Sequence, residues 1–307
     1  EYAALATELA RVQSEAEGAR DADGISKEAR VARLRASLER WRWLPRDLPT
    51  RRIDVLVPFF ELRLRDAALS TSHAIIVGAR GTQTPSFAAA IETITLNPTW
   101  TPPSSILLGE LQPRLRRDPE AVAREGYDVM DSAGRVVDPA QVDWRARPFR
   151  YTLRQRAGPA NALGRLRFDL PNPYAVFLHD TPSRGLFGRE NRALSHGCIR
   201  VSEPVTLAAD ALADPLWDEA ALNAAIDAGE TQVITLGAPL PIYILYLTAA
   251  PDQEGVVQYA GDVYGRDAGL LRALDGPQRP MRRAAVQSET ECAALHRGAK
   301  PKSATAW

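Results

Sequence analysis

From Arg51 onward the apolar residues of this chain fall on every second position: Ile53, Val55 and Val57 first, then Phe60, Leu62 and Leu64. A period of two puts successive side chains on opposite faces of an extended strand, so the pattern calls for a sheet with one face buried. HAIIVGA at 73–79 follows as a more continuously apolar run, as expected of a strand covered on both faces. FRYTLRQRAG at 149–158, AVFLHD at 175–180, TQVITL at 231–236 and PIYILYLTAA at 241–250 return to the extended pattern. The prediction is a mainly β core with flanking helices.

The period before Arg51 is different. Residues 1–16 place Tyr2, Leu5, Leu9 and Val12 on one helical face, and residues 27–43 do the same with Val31, Leu34, Leu38 and Trp41. The polar, Gly-containing stretch EGARDADGISKE separates them as a loop, and Trp41 and Trp43 are expected to pack this helical scaffold against the core. Residues 98–160, opening PTWTPPSSI, are rich in Pro and Arg, contain a helical stretch near DPEAVAREGYDVM and interrupt the strand pattern. After the strands, SEPVTLAADALAD reads as a helix that Ser202 can cap and that tolerates Pro204 in its first turn, and DEAALNAAIDAGE as a second helix. The divisions expected are a helical scaffold at 1–48, a core at 49–250 interrupted at about 98–160, and a C-terminal extension and tail at 251–307.

Charge excludes one class of partner. With 38 basic and 38 acidic residues the chain is formally neutral and lacks the footprint of a nucleic-acid binder, RPMRR at 279–283 being only a local cluster. No apolar run reaches the 18 or so residues that span a bilayer. The chain opens in mid-helix pattern, EYAALATELARV, as a fragment or processed form would.

One segment carries chemistry: SHGCIRVSEP at 195–204, with one of the two cysteines of the chain. A free cysteine most often packs as a small apolar residue. The other cysteine, Cys292, sits in a polar tail, so a framework disulfide is not expected. Neither CxxC nor HExxH occurs, so no metal and no cofactor is predicted. The remaining reading for Cys198 is a nucleophile, which needs a base and an oxyanion site. His179 closes the run AVFLHD and fifteen residues separate it from Ser195, a loop long enough to bring an imidazole back to a thiol. A thiol of pKa about 8.5 is mostly protonated at neutral pH and an imidazole can take its proton. Gly197 suits a tight turn whose backbone N–H groups could meet an oxyanion. Arg200 offers a fixed positive charge for a thiolate or a substrate carboxylate, with a structural ion pair as the plain alternative.

His179, the fifteen-residue spacer and Ser195-His196-Gly197-Cys198-Ile199-Arg200 together resemble the signature of the L,D-transpeptidases, cysteine enzymes of the YkuD type that remodel bacterial peptidoglycan. LERWRWLPRDLPTRRIDVLVPFFELRLRD, HAIIVGARGTQTPSF, LNPTWTPPSSI, RVVDPAQVDW and FLHDTPSRGLFGRENRALSHGCIRVSEP extend the resemblance over roughly residues 35–275, toward the large periplasmic, multidomain branch. The resemblance implies a β-sandwich or barrel-like catalytic domain, with 98–160 as a capping insertion over the active site. It makes Cys198 the acylated nucleophile and His179 the general base and acid. It also implies that the main-chain carbonyl of Asp180 orients the imidazole, that Gly197 lies at the oxyanion-hole turn, and that Ser195, His196 and Arg200 bind substrate or support the thiolate. The implied reaction is acyl transfer from a tetrapeptide stem with release of D-alanine and formation of 3→3 cross-links between peptidoglycan stems. Carbapenems are implied as covalent inhibitors, and the periplasm as the location, with membrane contact only through an N-terminal anchor preceding these residues. Two rivals stand beside it: an L,D-carboxypeptidase or other thiol hydrolase, although papain-like and NlpC-type peptidases place Cys before His, and a noncatalytic wall-binding scaffold. Cys292 receives no role, and His73, opening a predicted strand, is expected to be structural.

Overall fold

The structure, a computed structural model, describes residues 1–67 and 70–276. Cys292, His296 and the rest of the tail lie outside the described residues. The chain opens with helices α1 (Tyr2–Gln13) and α2 (Lys27–Trp41), then strands β1 (Arg52–Leu56), β2 (Glu61–Arg65), β3 (Ser70–Gly78) and β4 (Phe87–Leu96). The inserted segment holds α3 (Ser104–Ile106), a π turn at Leu107–Leu111, α4 (Gln112–Leu115), α5 (Ala121–Arg124), β5 (Tyr127–Met130), β6 (Val136–Val137) and β7 (Thr152–Gln155). The core resumes with β8 (Leu166–Asp169), β9 (Leu178–His179), β10 (Ala193–Ser195), β11 (Ile199–Val201), α6 (Pro204–Leu212), α7 (Glu219–Asp227) and β12 (Gln232–Leu245). β13 (Ala249–Pro251), β14 (Val257–Tyr259) and α8 (Asp267–Asp275) complete the described elements.

Nine strands form the main sheet in the order β10-β3-β11-β9-β8-β4-β12-β1-β2, and β2 also pairs with β3. That pairing, Glu61 opposite Ala74 through Arg65 opposite Ser70, closes eight of the strands into a ring and leaves β10 alongside the end of β3. Closure removes the free edges that would otherwise expose unpaired backbone groups. The inward residues Ile53, Val55, Leu62, Leu64, Ile75, Ile91, Ile94, Phe168, Leu178, Ile199 and Ile242 form one buried cluster. The mainly β core with flanking helices predicted from the period is therefore present. TQVITL and PIYILYL, read as two strands, belong to the single strand β12, whose pairing with β4 breaks register between Thr235 and Leu240.

The N-terminal helices bury Leu5, Val12 and Leu34 against Ala249, with Trp41 packed at the margin of that cluster. Trp43 and Tyr2 depart from expectation: both are exposed, at 63% and 47%. Trp43 lies beyond the end of α2, where its indole Nε1 donates to Glu39 Oε1 at 3.2 Å instead of entering the core. Ser202 does not cap α6. Glu203 occupies that position without a side-chain hydrogen bond and Pro204 takes the first turn, while Ser202 N–H is drawn to the Ala74 carbonyl of β3 at 3.0 Å.

The inserted segment has its own core of Leu107, Leu111, Leu115, Val122, Tyr127, Val129, Trp144 and Leu153, beneath a three-stranded sheet in the order β6-β5-β7. Its base is pinned where Trp100 and Gln155 exchange backbone hydrogen bonds of 2.9 and 2.7 Å. The buried Gln155 side chain donates to Glu125 O and Ala160 O and accepts from Ala162 N.

Candidate active site

β9 lies between β8 and β11, with His179 opposite Arg167 on one side and Arg200 on the other. Residues opposed in a ladder share a face, so the imidazole stands in a row between two guanidinium groups. Their neighbours Leu178, Phe168 and Ile199 point the other way, into the core. The same alternation returns Cys198, just before Ile199, to the face of His179 and Arg200. Cys198 is half-buried, its Sγ 3.8 Å from the Ala175 carbonyl oxygen.

His179 is buried, and its Nδ1 lies 2.5 Å from the main-chain oxygen of Asp180. A carbonyl oxygen can only accept, so Nδ1 carries the proton and Nε2 keeps the lone pair. Burial, reinforced by Arg200 and Arg167, drives the imidazole pKa down to about 4, against the opposing effect of the Asp180 carbonyl. Asp180 is itself fixed: its Oδ2 accepts the Arg165 N–H at 2.8 Å and its Oδ1 pairs with Arg184 at 2.7 Å. Gly164, at φ +64°, makes room for this carboxylate, since a Cβ there would come within 2.5 Å of Asp180 Oδ2.

Burial pushes the Cys198 thiol above its ordinary value, outweighing a backbone hydrogen bond from Phe177 and the fields of Arg200 and Arg167. The resting pair is therefore a neutral thiol and a neutral imidazole, the protonation state in which a base waits for a proton. Arg200 Nε is buried without a hydrogen-bond partner, and no carboxylate among the described residues pairs with this guanidinium. Arg167 Nε is likewise buried without a well-aligned hydrogen bond, but its guanidinium forms an ion pair with Asp169 Oδ1 at 2.6 Å and sits 4.9 Å over the Phe177 ring.

The loop between β10 and β11 is held from within and from behind. Ser195 Oγ donates to Cys198 O at 2.5 Å and accepts the Gly197 N–H at 3.1 Å, so the hydroxyl closes the turn around the cysteine. Gly197 has φ +116°, a conformation L side chains rarely adopt, and with its own N–H engaged it contributes the turn and not an oxyanion donor. From behind, Ala79 N and Thr82 Oγ1 donate to Ser195 O at 2.8 and 2.9 Å, and the fully buried Thr84 donates through Oγ1 to Gly197 O at 2.9 Å. Thr84 Oγ1 accepts the Gly78 N–H, and Tyr264 OH bridges Thr84 N and Gly78 O. His196 turns outward, its Nε2 2.6 Å from Glu110 Oε1 on the π turn of the inserted segment. His73 is buried elsewhere on β3, 3.6 Å from the Glu203 carboxylate, its pKa lowered by burial.

Sequence reasoning missed Arg167, Thr82, Thr84, Tyr264 and Glu110. Only Arg167 left a signal: Leu166 and Phe168 alternate around it, which makes LRFD a strand and Arg167 its outward residue. Among the described residues no cluster of His, Cys, Asp or Glu is arranged to hold a metal ion, and no helix is long and apolar enough to cross a membrane.

The sequence is similar to known proteins. Residues 50–231 match the YkuD family, the L,D-transpeptidase catalytic domain, which is more than half of the chain. A Haemophilus influenzae protein described as "Putative L,D-transpeptidase" is 35% identical over 218 residues, 70% of this chain and 44% of that protein, so the chain spans less than half the length of its relative. A solved structure of Mycobacterium tuberculosis L,D-transpeptidase 1 aligns with 64% of this chain and 61% of its own at 11% identity, with a TM-score of only 0.24. With its catalytic-domain match spanning both His179 and Cys198, the chain belongs to the L,D-transpeptidase family.

Proposed function

We propose that this protein cross-links peptidoglycan stems in the periplasm by two-step acyl transfer through Cys198. The observation that carries the reading is the tautomer of His179: a neutral, buried imidazole with Nδ1–H given to Asp180 O and Nε2 free, on the sheet face that carries the thiol. Cys198 Sγ attacks the carbonyl carbon at the L-centre of the third, diamino acid residue of a tetrapeptide stem while its proton passes to His179 Nε2. The tetrahedral oxyanion meets the N–H of Cys198, which has no partner among the described residues. As the C–N bond breaks, His179 returns the proton to the nitrogen of the departing D-alanine and a thioester remains. The side-chain amine of a second stem then attacks the thioester, loses its proton to His179 and leaves a 3→3 cross-link, with the thiol restored.

Because thiol and imidazole are both neutral at rest, the proton moves only as the S–C bond forms, and Arg200 and Arg167 offset the charge that develops on sulfur. A carbapenem offering its β-lactam carbonyl to Cys198 would be held by the same thioester linkage. The test is intact-protein mass spectrometry after brief exposure to a disaccharide-tetrapeptide. The expected adduct is substrate minus D-alanine on the wild-type chain and none on Cys198→Ala. An adduct that persists in Cys198→Ala, or none on a folded wild-type chain, would contradict the reading.

A further inference from the structure

The inserted segment is tied down at two places, and only one is at its base. At the base, Trp100, Gln155 and Asn161 fasten the two chain crossings together, Asn161 Nδ2 donating to both Pro98 O and Arg156 O at 2.9 Å. Away from the base, the side-chain hydrogen bond among the described residues that leaves the segment is Glu110 Oε1 to His196 Nε2 at 2.6 Å. It ends two residues from the nucleophile. Glu110 stands on a π turn, an irregularity that costs regular helical hydrogen bonding and recurs where a side chain has to be aimed. Both side chains are about half exposed, at 56% and 45%, so the contact can open without stranding a buried charge.

From these observations we propose that Glu110 is a specificity-determining residue: its contact with His196 latches the inserted segment over the Cys198 loop and biases the thioester toward an amine acceptor and away from water. The inference rests on the acyl-transfer reading. A thioester is open to attack by both nucleophiles, and bulk water far exceeds any stem amine in concentration, so transfer requires that water be kept from the acyl group after D-alanine leaves. A single exposed polar contact of this kind shifts an open and closed equilibrium only about twofold to fivefold. Such a latch favours closure while still admitting two polymeric substrates.

The proposal is tested with the full chain and disaccharide-tetrapeptide, measuring the ratio of tripeptide monomer to cross-linked dimer together with the rate at which iodoacetamide labels Cys198. Glu110→Ala is expected to raise both by about threefold, the scale of one exposed polar contact. Glu110→Gln, which keeps the size and one hydrogen bond, should fall between it and wild type, and Glu120→Ala, exposed on the same segment, should change neither. An unchanged ratio in Glu110→Ala, with or without faster labelling, overturns the proposal. If the wild-type chain yields neither product, the acyl-transfer reading fails separately. The labelling rate then decides alone: acceleration in Glu110→Ala supports the latch, and no change overturns it.

Discussion

At the scale of single residues the chemistry open to the site depends on two protonation states. In the proposed reaction His179 must be neutral to act as base, and with its pKa near 4 the acidic limb of kcat/KM should fall near pH 4, where an ordinary histidine would place it near 6.5. Arg200 lowers both the imidazole and the thiol pKa. Arg200→Gln should therefore raise both: the acidic limb moves to higher pH, and iodoacetamide labelling of Cys198 at pH 7 slows because less thiolate is present. A pH profile and a labelling rate on one variant check the two signs together. Thr84→Val removes the hydrogen bond to Gly197 O and leaves that buried carbonyl unpartnered, a loss of about 1–3 kcal/mol. A fall in kcat of about tenfold is expected, with recovery in Thr84→Ser and little change in KM, since Thr84 positions the loop without touching substrate. Cys198, His179 and Gly197 stood out as candidates because their residue types and spacing suit nucleophile chemistry. Thr84 and Tyr264 did not: their partners lie 113 and 186 residues away, and nothing in the local sequence of either residue names its partner.

At the scale of elements, the alternation that marked the strands also set Arg167, His179 and Arg200 in one row, although nothing in a single strand says which strands are neighbours. The ring closure by β2 and β3 was hidden for the same reason. The register break in β12 made one long strand look like two, because alternation lapses through GAP at 237–239. Helix α2 is fastened by a buried cluster invisible to its own helical pattern. Arg40 Nη1 pairs with Asp267 Oδ1 at 2.5 Å, Asp267 Oδ2 accepts from Thr248 Oγ1, and Ser37 Oγ accepts from Thr248 N and Ala249 N. Arg40→Ala leaves Asp267 buried without its partner, and a loss of about 3 kcal/mol in unfolding free energy is expected by urea titration. A change below about 0.5 kcal/mol would show that the pair adds nothing beyond its desolvation cost.

At the scale of the whole molecule, burial depresses the pKa of both His73 and His179. Between pH 6.5 and the lower folded values the unfolded chain binds protons that the folded chain does not, so stability present above pH 6.5 is lost as the pH falls. The urea midpoint should drop between pH 7 and pH 5, and His73→Gln should reduce that drop. In the proposed reaction the fate of the acyl group depends on which nucleophile reaches the thioester. Wild-type chain and Cys198→Ala are incubated with disaccharide-tetrapeptide and the products resolved by mass spectrometry. The expected product is a dimer lacking one D-alanine, joined 3→3 and formed only when Cys198 is present. Tripeptide monomer alone would mean that water resolves the thioester, and would contradict the proposed cross-linking.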